Sequence, residues 1–136
     1  MVTTRTALLA RTRKFGIDVI RLCGTLQSRL EGRIIAGQLI RSATSVGANY
    51  RSACRARSTA DFVAKLALVE EESDESLYWL EMVSELYPGR EIELRRLTDE
   101  ANQLVAIASA SRKTARKRLY GSKGIEDRKS KIEDND

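Results

Sequence analysis

Histidine is absent from this chain of 136 residues. That removes the commonest general acid–base and the commonest metal ligand together. Cysteine is scarce. Cys23 and Cys54 lie far apart and form no Cys-x-x-Cys pair, so neither a zinc spacing nor a redox motif is present. Two small buried thiols in a reducing, cytoplasmic compartment are the expectation. Proline occurs once, at position 88, and the eight glycines are scattered. So few breakers favour long helices over many short strands. Val, Ile, Thr and the aromatics do not gather into alternating runs, which leaves the strand signal weak. The run Ala7-Leu8-Leu9-Ala10 is too short for a signal peptide's apolar region, and no apolar segment reaches membrane length. No cofactor, metal, catalytic residue or membrane partner is expected.

Charge is abundant and segregated. Residues 1–60 hold 11 Lys and Arg against 2 Asp and Glu, a net of +9. Residues 61–100 hold 4 against 12, a net of −8, and residues 101–136 hold 9 against 5, a net of +4. An acidic third helix facing basic surface, within the chain or on a neighbour, is implied.

Apolar spacing predicts four helices. Phe15, Val19, Leu22, Leu26 and Leu30 stripe a first helix over about Thr6 to Leu30, broken at Glu31-Gly32-Arg33 with Gly32 free to take positive φ. Ile35, Leu39, Ala43, Val46 and Tyr50 share a face of a second, from about Ile34 to Arg55. Its interior is rich in small residues (Ser42, Ala43, Ser45, Gly47, Ala48), which suits close helix approach. Ser58 caps a third, with Asp61 in its first turn. That helix runs to about Leu86 on a seven-residue repeat through Phe62, Leu66, Val69, Ser73 and Leu80. Tyr87-Pro88-Gly89 stops it. A fourth covers about Glu91 to Leu119, with Leu97, Ala101, Leu104, Ala108, Ser111 and Ala115 in line. Short connections make neighbours antiparallel. The expected fold is all-α, an antiparallel up-down-up-down four-helix bundle over 1–120. The charged stretch 121–136 reads as a disordered tail.

Two residue sets stand out. Arg41, Asn49, Glu72 and Glu75 are polar groups beside the apolar stripes of helices 2 and 3, whose middles should oppose. A hydrogen-bonded network that sets helix register is the reading adopted. A paired-carboxylate centre is the alternative, although a di-iron pattern needs the missing histidines. The second set is cationic: Arg11, Arg13 and Lys14, then Arg51, Arg55 and Arg57, then Arg112, Lys113, Arg116, Lys117 and Arg118. In an up-down bundle all three groups fall at one end. They would bind phosphate backbone with little sequence preference. A solvated basic face is the bland alternative. Of the neighbours Tyr78 and Trp79, about 100° apart on a helix, one belongs near the core and the other near the surface.

The stretch QLIRSATSVGANYRSACRARSTADFVAKLALVEEESDESLYWLEMV, from Gln38 to Val83, resembles a bacterial four-helix-bundle family named after the intervening sequences of 23S rRNA genes. Arg41-Ser42, Ser45-Val46, Asn49-Tyr50, Asp61-Phe62, Glu72, Glu75 and Trp79-Leu80 carry the likeness, which spans roughly Phe15 to Ala108. The superfamily includes the accessory variability determinant of diversity-generating retroelements. The resemblance implies a homopentameric ring of bundles. By the same resemblance, the retroelement members bind nucleic acid through basic surface and associate with a reverse transcriptase. The expected function is therefore a non-enzymatic, cytoplasmic, RNA- or DNA-binding accessory protein, with itself and a reverse transcriptase as partners. A protein–protein scaffold without a nucleic-acid role stays open beside it.

Overall fold

The first and third helices start where a hydroxyl can satisfy free amides, whereas the second starts from Arg29 without a side-chain cap. In the computed structural model, which describes residues 3–26 and 29–133 and side chains as far as 121, α1 spans Thr4–Cys23. Its N-cap Thr3 hydroxyl accepts from the Thr6 amide at 3.1 Å. α2 spans Leu30–Cys54 and α3 Thr59–Leu86. The Ser58 hydroxyl accepts from the Asp61 amide at 3.0 Å, the cap that the sequence predicts. Gly89, with φ of +95°, turns the chain into α4, Glu91–Glu133. The described residues form four helices and no strand.

Two boundaries differ from the sequence reading. α1 ends at Cys23, not near Leu30, and the break comes before α2 rather than at Glu31-Gly32-Arg33. The Gly24 amide donates to Ile20 O, and Thr25 folds back on Leu22 O through its hydroxyl at 2.7 Å, which closes the helix early. Gly32 is a buried α2 residue without positive φ. α4 continues past Leu119 to Glu133, across most of the stretch expected to be a disordered tail. Lys, Arg, Glu and Ile are good to fair helix formers, and an existing helix extends without a new nucleus. Residues 134–136 of that expected tail lie outside the described residues.

Consecutive helices pack as neighbours, α1 on α2, α2 on α3 and α3 on α4, and α4 closes back on α1. The long-range pairs run in opposite senses along adjoining helices, as in Arg11 with Glu100 and Asp18 with Arg96. This is the up-down-up-down bundle. Its core comprises Phe15, Val19, Leu22, Leu39, Val46, Leu66, Leu80, Val83, Leu97 and Leu104, all essentially inaccessible.

Small residues set two of the seams. A Cβ on Gly47 would lie 3.3 Å from Thr12 O, and one on Gly16 would lie 3.5 Å from Ala43 O. α1 and α2 therefore touch nearly backbone to backbone. Gly47 costs about 1 kcal/mol relative to Ala in a helix interior, and the close packing it permits offsets that. Between α2 and α3 the fully buried Ser42 and Ser76 hydroxyl oxygens lie 3.0 Å apart. Each also reaches a carbonyl on its own helix, Leu39 O and Glu72 O. The fourth seam is polar. Asp18, buried on α1, accepts from Lys14 at 2.5 Å and from Arg96 of α4 at 3.1 Å. Arg90 donates to Thr25 O at 2.6 Å.

Burial raises the Asp18 pKa, but the hydrogen bonds from Lys14 and Arg96 outweigh it and hold the carboxyl below its ordinary 3.8. A depressed carboxylate contributes stability above its unfolded pKa and loses it as pH falls through the folded value. Asp18→Asn should lower the unfolding free energy by about 1–2 kcal/mol at pH 7. The gap to wild type, read from urea unfolding, should narrow as pH falls below the ordinary 3.8 and through the depressed folded value. Ser76→Leu should overpack the α2–α3 seam and cost about 1–3 kcal/mol, visible as a lowered thermal midpoint.

Candidate nucleic-acid interface

Leu8 of α1, Tyr50 of α2, Leu66 of α3 and Ser111 of α4 line one small cavity, so these points share a level. The end of α2 with the 55–58 connection and the 112–118 segment of α4 lie beyond that level, toward one end. Arg11, Arg13 and Lys14 were expected to join them, but they stand inward of Leu8, toward the middle of α1. The cationic side chains divide into two kinds.

Arg11, Lys14 and Arg112 meet polar or acidic side chains of other described residues. Arg11 donates to Glu100 through Nε at 2.9 Å and Nη2 at 2.5 Å, and also to Gln103 Oε1 at 2.6 Å. Donating to Glu100 pushes the Arg11 pKa further up against the opposing effect of burial. Lys14 is tied to Asp18, and Arg112 Nε donates to Glu70 Oε2 at 2.8 Å. Arg13, Arg51, Arg55, Arg57, Lys113, Lys117 and Arg118 are exposed. So is Arg116, which reaches the Tyr120 hydroxyl at 3.4 Å with its guanidinium 5.5 Å over that ring. Arg13 and Arg51 line a groove on the outer side of α1 and α2, apart from the α4 cluster. Sequence reasoning missed the acidic partners Glu70, Asp18 and Glu100. Only Lys14 and Asp18, four apart on one helix, carry a sequence signal.

The expected polar network forms in part. Arg41 bridges from α2 to α3, donating to Glu72 at 3.3 Å and to Glu75. Asn49 stands apart. Its side-chain amide donates to Ser45 O, 2.9 Å away on its own helix, because it lies further along α2 than the two glutamates reach. Ser42 and Ser76 supply the buried contact instead. Burial raises the Glu72 pKa against the attraction of Arg41, with neighbouring Glu75 adding to the rise. Trp79 packs against the core and buries an indole N–H without an acceptor, while Tyr78 is 51% exposed. Their rings meet edge to face at 5.0 Å. Burial pushes Tyr50 up to about 12, helped by Cys54, and Cys23 up to about 11, so neither is a nucleophile at neutral pH. Among the described residues, no group of three or more acidic or cysteine side chains is placed to hold a metal ion. No described helix is long and apolar enough to cross a membrane.

An all-helical, antiparallel bundle with one cationic end is the class this geometry defines. The profile of the 23S rRNA-intervening sequence protein family matches residues 6–110, and the chain belongs to that family. A crystal structure of a protein of unknown function from the S23 ribosomal protein family of Bacteroides thetaiotaomicron shares the fold. The TM-score is 0.74 at 24% identity, over 82% of this chain and 99% of that one. No curated protein matches the chain.

The division of the cations is measurable. Arg11→Gln should lower unfolding stability by about 1 kcal/mol by freeing Glu100 in the α1–α4 seam. Arg57→Gln, on the exposed connection, should stay within about 0.5 kcal/mol of wild type by the same chemical denaturation.

Proposed function

We propose that the protein is a non-enzymatic, cytoplasmic nucleic-acid-binding accessory protein that works as a homopentameric ring of bundles. The observation that carries the reading is the exposed cationic end built from Arg55, Arg57, Lys113, Arg116, Lys117 and Arg118. Cations at the end of α2, on the connection after it and along the outer face of α4, without a groove-reading element, suit the phosphate backbone rather than base edges. RNA is the preferred ligand and DNA the second. The ring is supported by the charge segregation, since −8 on residues 61–100 and +9 on residues 1–60 complement each other between copies. Partnership with a reverse transcriptase rests on the sequence resemblance to the retroelement members.

A protein scaffold is the second reading. It is favoured by the pairing of Arg11, Lys14 and Arg112 with carboxylates of the same chain, which withdraws them from any polyanion.

Fluorescence anisotropy of a labelled structured RNA distinguishes the two. With six phosphate contacts the affinity should fall about 10³-fold between about 50 and 200 mM salt. Arg116→Ala/Lys117→Ala/Arg118→Ala should flatten the log–log slope by about 3. Absence of binding at low salt, or a slope indifferent to the triple variant, would leave the scaffold reading.

A further inference from the structure

The outer side of the α1–α2 seam is an open groove of about 400 Å³. Leu9, Ile17 and Ile20 form its apolar wall, and Ile20 is 46% exposed. Gly47 and Ala48 keep its floor low, and Arg13 and Arg51 rim it. On its outer face, away from the core, α3 presents Glu71, Asp74, Glu75 and the exposed Tyr78 around a recess of about 380 Å³. One surface is apolar with cations. The other is acidic with one large aromatic ring.

The two surfaces also match in height. Gly16 of α1 stands level with Thr44 of α2, since a Cβ on Gly16 would lie 3.5 Å from Thr44 Cα. Ser42 of α2 stands level with Ser76 of α3. Because α2 runs against both neighbours, α1 and α3 are parallel, and Gly16 is level with Asp74. Arg13 is then level with Glu71, Ile17 with Glu75, and Ile20 with Tyr78. Rotation about an axis parallel to the helices leaves every height unchanged. Copies related in that way bring Arg13 of one to Glu71 of the next, and Ile20 to Tyr78, without any slip along the bundle.

We propose that the α1–α2 groove is the docking site for α3 of a second copy of this chain. Tyr78 enters the groove beside Ile20, and Glu71 pairs with Arg13. The contact is heterologous, because the groove and α3 lie on different flanks, so each copy donates one surface and accepts on the other. Such contacts close into rings when the rotation permits. The inference names the joining surfaces of the assembly proposed above and rests on that reading. It also reassigns Arg13 and Arg51, which become covered between copies. The cations left for a polyanion are Arg55, Arg57 and the α4 cluster. An acidic helix from a different protein would fit the groove's chemistry, but not by itself the equal heights.

Light scattering on the full chain at moderate salt reads the outcome. Wild type should be a multiple of 15.2 kDa, and Ile20→Glu should fall to a single chain with its helicity intact. Arg13→Glu should weaken assembly, and Arg13→Glu/Glu71→Arg should restore it. Because Ile20→Glu could disturb α1 itself, a cross-link gives a second measure. In a Cys54→Ser background, Ile20→Cys mixed with Tyr78→Cys should form an oxidised pair of chains, and Ile20→Cys alone should form none. A monomeric wild type overturns both the assembly and this contact. An assembly untouched by Ile20→Glu, with no mixed cross-link, overturns the contact alone.

Discussion

The close approach of α2 to both neighbours is the constraint on which the rest depends. Gly16 and Gly47 let α1 settle against the backbone of α2, and Ser42 with Ser76 holds α3 on the other side. A Cβ at Gly47 would crowd Thr12 O at 3.3 Å, whereas one at Gly16 would meet Ala43 O in ordinary contact at 3.5 Å. The register between α1 and α3 passes through these contacts, with Arg41 bridging α2 to Glu72 and Glu75 of α3 beside them.

Electrostatics then distributes itself over a frame that packing has already set. Three seams are sealed mainly by apolar side chains, while the α1–α4 seam leans on Asp18 with Arg96, Arg11 with Glu100, and Arg90 with Thr25. A half-exposed ion pair contributes little net stability, so this seam should be the first to yield on acidification or with salt. The same pairs remove cations from the surface. Of a large formal positive charge over the first sixty residues, only part is available to an outside partner.

The helical class, the order of elements, the Ser58 cap, the Gly89 turn and the core stripes were legible from spacing. The α1–α2 break was not. Gly32 and Gly24 are equally good candidates on paper, and only the packing of Ile35 and the buried Gly32 decides between them. Likewise Leu30 belonged to an apolar stripe by spacing but is 66% exposed at the start of α2. The polar network was half legible. Arg41 with Glu72 and Glu75 follows from opposed helix middles, whereas Asn49 satisfies itself on the preceding turn, which spacing does not reveal. Topology carries Arg55, Arg57 and the 112–118 segment toward one end, but helix length leaves Arg11, Arg13 and Lys14 inward of Leu8, a distance that direction alone does not report. Lys14 has its partner Asp18 one turn on, but Arg112 and Arg11 depend on partners 42 and 89 residues away, and no local pattern reports those.

That dependence bears on how a basic bundle end can work. Arg112 and Lys113 are adjacent in sequence, yet about 100° of helix turn separates them. Arg112 faces α3 and meets Glu70, while Lys113 is exposed. A dense run of cations on one helix therefore cannot act as a unit. One residue in three or four is drawn inward as a strut, and the others remain on the outer arc. On the proposed nucleic-acid-binding function, struts that hold the outer cations at fixed spacing would limit the entropy lost when a polyanion binds. A mutation in a strut would then weaken that proposed binding indirectly, through disorder of the array, even though its own charge never meets a phosphate.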